Sequence, residues 1–153
     1  HRDLHSFPTR RSSDLLLDSV AGAYRKNPFA RSRHLIVLPV AGRPVLHSDP
    51  VLLRRILGNL ILNALEAIPK GAAVTLSYES DPQPVFRVHN PGAIPRHIAL
   101  QIFQRSFSTK SRSGRGIGTY SVKMLTERYL KGSARFESNL EDGTTFEVRL
   151  PSE

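Results

Sequence analysis

Asn59 and Asn63 stand four residues apart in LLRRILGNLILNALEAI, with Arg55 four residues before the first and Glu66 three after the second. At helical spacing these four side chains fall within roughly 80° of arc, while Leu53, Ile56, Leu57, Leu60, Ala64 and Ile68 take the broad opposite face. A stripe of this kind fits a plain solvated surface. It also fits a ligand site, because Asn is a poor helix former and Lys or Glu would serve a surface better. An amide oxygen in such a position can ligate Mg²⁺, which takes hard oxygen donors and keeps several waters.

A second set is Gly114, Gly116 and Gly118 in GRGIGT, where a Ser- and Arg-rich loop gives way to helical periodicity. Backbone amides without Cβ atoms around them approach a phosphate closely, and a helix N-terminus favours negative charge. Alone the series reads equally well as a flexible loop. It is neither a dinucleotide fingerprint, since Thr119 stands in place of the third glycine, nor a P-loop, since no Gly-Lys-Ser/Thr follows. Between Pro82 and Thr126 there is no Asp or Glu, yet Arg87, Arg96, Arg105, Lys110, Arg112, Arg115 and Lys123 all occur. One-signed potential around a glycine loop suits a polyphosphate that must not meet like charge.

The elements that must position these residues follow from pattern and punctuation. Residues 16–24 predict a short helix and residues 34–40 a strand that Pro39 pushes to an edge, with residues 44–47 as its hairpin partner. Asp49 as N-cap and Pro50 in the first turn open the long helix over residues 49–68, which Pro69 and Gly71 close. Residues 73–78 and 85–89 alternate as two antiparallel strands about the turn SDPQP, and residues 90–95 form a turn. A short helix is expected at residues 98–103, a mobile loop at 104–114 and a helix at 116–130. Residues 134–138 and 144–150 make a closing hairpin about EDG.

The totals bound the class. A chain of 153 residues buries a real core as one domain. Lys and Arg number 22 against 13 Asp and Glu, for a net charge of +9, which calls for an anionic partner. Nucleic acid, anionic membrane and nucleotide phosphate all qualify on charge, but stacking aromatics are sparse in the basic region and no nucleic acid is expected. With no cysteine there is no disulfide or thiolate chemistry. The most apolar stretch, residues 51–68, holds Arg54, Arg55, Asn59, Asn63 and Glu66, too many polar groups for a membrane span. Residues 1–15 show no amphipathic period, look like a translated sequencing adapter, and are expected to be a non-native or disordered leader to a domain at 16–153.

Taken in order, DPVLLRRILGNLILNALEAI, HNPGAIP, IFQRSFSTK, GRGIGTYSVKMLTERYLKG and EDGTTFEVRLP resemble the N, G1, F and G2 boxes and closing hairpin of histidine-kinase ATP-binding domains, members of the GHKL superfamily. The resemblance implies an α+β fold: a two-layer α/β sandwich with a mixed, mostly antiparallel sheet of about five strands and about three helices on one face. It implies that Asn63 ligates Mg²⁺, that Asn90, Gly92 and Ile94 form the adenine turn, and that Thr144 lies beneath the base. Phe103 and Phe107 match lid anchors, Thr109 and Lys110 reach the phosphates, and Arg115, Gly116, Ile117 and Gly118 belong to the second glycine box. By the same resemblance Asn59, Asn63 and Lys110 are the expected residues of catalysis. The partners implied are ATP, a histidine-bearing dimerisation domain of a homodimeric parent kinase, and indirectly a response regulator. The setting implied is cytoplasmic, for a parent that is either free or anchored in the inner membrane.

Two departures carry chemistry. Asn90 stands where the family has Asp, and the second glycine of the turn is missing from NPGAIP. Asn still reads adenine by accepting from its exocyclic amine and donating to a ring nitrogen. Asn59 stands where the water-activating ATPases of the superfamily carry a catalytic Glu, and an amide is no general base, so transfer to a protein acceptor is favoured over hydrolysis. His34, His47, His89 and His97 lack the helical, carboxylate-flanked setting of a phosphoacceptor, so the domain is not expected to autophosphorylate alone. An anti-sigma-type serine kinase and a non-catalytic nucleotide-binding module are the alternatives.

Overall fold

A computed structural model describes residues 9–40, 45–104 and 115–152 of the chain. Its strands are β1 (Thr9–Ser12), β2 (His34–Val37), β3 (Val45–Ser48), β4 (Ala73–Glu79), β5 (Val85–Asn90), β6 (Ser133–Asn139) and β7 (Gly143–Arg149). The helices are α1 (Ser13–Arg25), α2 (Pro50–Ala67), α3 (Arg96–Ala99) and α4 (Arg115–Met124), the last running into a π-helical turn at Leu125–Tyr129. Five strands form one sheet in the order β2-β4-β5-β7-β6, parallel only between β2 and β4. This is the mixed, mostly antiparallel sheet that the resemblance implied.

Alternation divides the sheet into two faces. Leu35, Val74, Leu76, Tyr78, Phe86, Val88, Phe146, Val148 and Ala134 are buried on one of them, against the helices. There α1 packs on β2 and β4, α2 on β4 and β5, and α4 on β6, with α2 between its two helical neighbours. Asp49 caps α2 by accepting from the backbone of Val51 and Leu52 at 3.0 and 3.2 Å, and Pro50 opens the helix. Its apolar face, Leu53, Ile56, Leu57, Leu60, Ile61, Ala64 and Leu65, is wholly buried. At the far end Arg33 Nε donates to the Ile68 carbonyl at 2.8 Å, satisfying a group that the helix leaves open.

Several expectations need correction. Residues 44–47 are not the hairpin partner of β2: β3 pairs antiparallel with β1, and β2 runs parallel to β4. A parallel pair needs a crossover, and α2 supplies it, laying its apolar face over the sheet, which a tight hairpin at this point could not do. The strand stops at Val37, two residues before Pro39, and β2 is indeed an edge strand. The first helix starts at Ser13 rather than at residue 16, and residues 9–12, assigned above to the leader, form a strand. Helix α3 comes two residues earlier than expected, on Pro95, and the chain then continues in i→i+3 turns through Gln104. The expected loop at 104–114 lies, but for Gln104, outside the described residues. Among the described residues no helix is long and apolar enough to cross a membrane.

Candidate functional site

The strands converge on a polar rung at one end of the sheet. Asn90 ends β5 opposite Thr144 of β7, and Thr144 in turn lies opposite Ser138 of β6. Asn90 and Thr144 are 6% and 2% exposed, so polar groups here need partners. Thr144 Oγ1 donates to the Gly92 carbonyl at 2.8 Å and contacts Ser138 Oγ at 2.7 Å. The backbone N–H of Ile94 donates to the same Ser138 oxygen at 2.7 Å. Asn90 Nδ2 donates to the Pro91 carbonyl at 2.7 Å. The segment from Asn90 to Ile94 is therefore fastened to the closing hairpin by side chains, and Gly92 turns it at φ +94°.

The β6–β7 turn beside this rung is itself tied down. Gly143 has φ +83°, and an added Cβ there would collide with the Asn90 carbonyl oxygen. Only glycine meets both demands. The His89 ring nitrogen Nε2 donates to the Asp142 carbonyl at 2.7 Å, and the Asp142 N–H donates to Asn139 Oδ1 at 2.6 Å. Neither Ser138 nor Gly143 is proposed from the sequence as a site residue, and His89 is considered there only as a phosphoacceptor and set aside. The register offered a clue: a hairpin centred on residue 141 places 138 across from 144.

The helical side supplies the other half. Asn59 and Asn63 are half-buried on the polar side of α2. A Cβ added at Gly118 would stand 3.8 Å from Asn59 Cγ, so the glycine segment of α4 lies directly against that amide. Helix α4 begins at Arg115, so Gly116, Ile117 and Gly118 form its opening turn rather than the loop before it. Phe103 joins Phe136 and Phe146 in an edge-on cluster, with centroids 5.7 and 6.0 Å away, and Lys123 Nζ sits 5.7 Å from its ring centre. That anchors the segment after α3 to the sheet and to α4. Phe107, Thr109, Lys110 and Gly114 lie outside the described residues.

Among the described residues no group of three or more His, Cys, Asp or Glu side chains could hold a metal. Asn63, half-buried on the polar side of α2, would offer a single hard amide oxygen to a Mg²⁺ ion that kept its other ligands from elsewhere.

Residues 48–153 match the family profile described as histidine kinase-, DNA gyrase B- and HSP90-like ATPase. A probable C4-dicarboxylate sensor kinase of Halalkalibacterium halodurans is 38% identical over 102 residues, which cover 63% of this chain and 19% of that protein. The catalytic domain of a histidine kinase, ThkA, superposes with a TM-score of 0.80 at 20% identity, covering 95% of this chain and 97% of that one. ThkA has also been solved in complex with the response regulator protein TrrA. Full-length ShkA, solved in complex with AMPPNP, gives a TM-score of 0.79 at 23% identity over 94% of this chain and 31% of that one. The chain thus spans about a fifth of the sensor kinase it resembles in sequence.

Proposed function

Because the chain belongs to the histidine kinase-, DNA gyrase B- and HSP90-like ATPase family, we propose that it binds Mg·ATP and passes the γ-phosphoryl group to a histidine on a separate dimerisation domain of a two-component sensor kinase. The observation that carries this reading is the place of α2. It packs on the strand that ends at Asn90 and on the helix that opens with the glycine segment, with Asn59 against Gly118. A purine site, an amide-bearing helix and a phosphate-seeking helix terminus are thereby neighbours. The AMPPNP complex of ShkA, an ATP analogue bound to the same fold, supports the nucleotide, and the TrrA complex of ThkA supports a response regulator as the eventual phosphoacceptor.

Each residue then has a task. The carboxamide of Asn90 turns its nitrogen to Pro91, so its oxygen accepts from the exocyclic amine of adenine. Gly92, Ile94 and Thr144 shape the floor of that pocket. Asn63 holds Mg²⁺, which when bound neutralises charge on the phosphates. The resemblance assigns Lys110, Thr109 and Arg115 to the polyphosphate, and the glycine segment opening α4 would bring backbone amides close to it. Phe103 fastens the chain after α3 to the sheet, and the resemblance gives Phe107 the matching anchor role.

Asn59 offers no base for water, so the site favours a protein acceptor. The P–O bond to the β,γ-bridging oxygen breaks, a P–N bond to the imidazole forms, ADP leaves and the imidazole proton passes to solvent. Rate comes from alignment and charge neutralisation. The acceptor acts on the cytoplasmic side, in a homodimeric parent.

The test is transfer in trans. The chain is mixed with a two-helix dimerisation domain from a sensor kinase and with γ-labelled ATP. The expected product carries acid-labile, base-stable label on a histidine of the helices. Acid-stable label on a hydroxyl, or release of phosphate to water alone, would contradict the proposal.

A further inference from the structure

We propose that Ser138 is a positioning residue for nucleotide binding, holding the 92–94 turn in the conformation that reads the base; this rests on the purine-site reading above. The direction of the hydrogen bonds is fixed by elimination. Ile94 contributes an N–H, so the Ser138 oxygen accepts from it. Gly92 contributes a carbonyl, so the only Thr144 hydroxyl proton goes there. The 2.7 Å contact between the two hydroxyls must then have Ser138 as donor and Thr144 as acceptor. One oriented relay results, from Ile94 N–H through Ser138 and Thr144 to the Gly92 carbonyl.

Its location explains why the turn needs it. The segment begins and ends with Pro91 and Pro95, which have no N–H to offer a ladder. Two of the backbone groups between them, the Gly92 carbonyl and the Ile94 N–H, are pinned by the relay instead. Ser138 itself is held in place from the other side. It pairs with Thr144 one step from a turn that Gly143, His89 and Asn139 keep rigid. Replacing Ser138 by Ala removes the acceptor of Ile94 and the donor to Thr144 together, which frees the turn while leaving the side chains of Asn90, Ile94 and Thr144 themselves in place.

The experiment measures Mg·ATP affinity by calorimetry for the chain, Ser138→Ala and Ser138→Thr, with amide exchange at Ile94 and the melting midpoint of each nucleotide-free protein. Ser138→Ala should bind about tenfold more weakly, as expected when a half-buried donor loses its acceptor and the turn loses its tether. Ile94 exchange should accelerate in the same variant. Ser138→Thr, which keeps the hydroxyl, should restore most of the affinity and the Ile94 protection. An Ala variant that binds as tightly as the parent overturns the assignment to Ser138 and leaves the purine reading intact. So does a pair of variants weakened equally, with Ile94 protection unchanged, because side-chain volume would then be the cause. A parent that binds no ATP while Ile94 loses protection on Ser138→Ala overturns the purine reading, and with it the role in binding.

Discussion

Strands β5, β7 and β6 carry two polar arrangements back to back. On the helix-covered side the rung of buried Asn90 and Thr144 and half-buried Ser138 is neutral and made of single hydrogen bonds near 2.7 Å. On the open side Arg87 bridges Glu79 and Glu147 at 2.7 and 3.0 Å, and Arg135 and Arg149 both reach the other Glu147 oxygen. The side chains of Arg135 and Glu79 are 63% and 52% exposed, so water screens much of that network. The contrast teaches where to look for function on a sheet of this kind. Charge is abundant where it does little, and the chemically informative groups are the few uncharged ones whose hydrogen bonds leave the ladder to grip a turn.

That contrast can be broken by mutation, and the largest effect is expected at the end of the rung. Gly143→Ala combines a disfavoured backbone conformation with a collision against Asn90, and should cost about 3 kcal/mol in urea unfolding. Thr144→Val leaves the Gly92 carbonyl and the Ser138 hydroxyl without their partner, at about 1–2 kcal/mol, and should weaken Mg·ATP binding as well. On the open face Glu147→Gln should cost about 1 kcal/mol, because three arginines share that one carboxylate, and should leave nucleotide affinity unchanged. Arg135→Ala should cost less than about 0.5 kcal/mol. A ladder variant that weakened ATP binding more than Thr144→Val would abolish the distinction.

Acid sharpens the same comparison. Burial alone would push the Glu147 carboxyl up, but hydrogen bonds from Arg135 and Arg149, with the charges of Arg149 and Arg87, outweigh it and hold the group below its ordinary value of 4.5. The folded chain then binds fewer protons at this site than the unfolded chain. Its contribution is complete above the ordinary value and is lost as pH falls through the lowered one. Arg87 is likewise pulled down by burial and raised further by Glu79 and Glu147, which leaves it charged throughout that range. Urea midpoints measured from pH 7 to pH 3 should fall less steeply for Glu147→Gln than for the parent. The rung has no carboxylate and should contribute nothing to that slope.

The elements that carry the site were readable because local chemistry and global packing agree there. Asp49, Pro50 and the apolar period of α2 specify one helix, and its polar stripe follows from the same register. The closing hairpin was equally plain from alternation about EDG. What could not be read was decided by long-range pairing. Nothing in HLIV or VLHS says that the first joins β4 in parallel while the second turns to β1, since both are short apolar runs whose partner is chosen by the crossover of α2. Ser138 was invisible for a related reason: a serine ending a strand is unremarkable until the register sets it beside Thr144 and beneath Ile94.

The central claim, a magnesium-bearing nucleotide held between α2 and the purine turn, is tested most directly by calorimetry of Mg·ATP against the chain and its Asn63→Ala variant. The account predicts saturable binding by the parent and a loss of at least about a hundredfold in the variant, with ATP in the absence of Mg²⁺ binding both proteins equally weakly. Binding of Mg·ATP by Asn63→Ala as tight as that of the parent would contradict it.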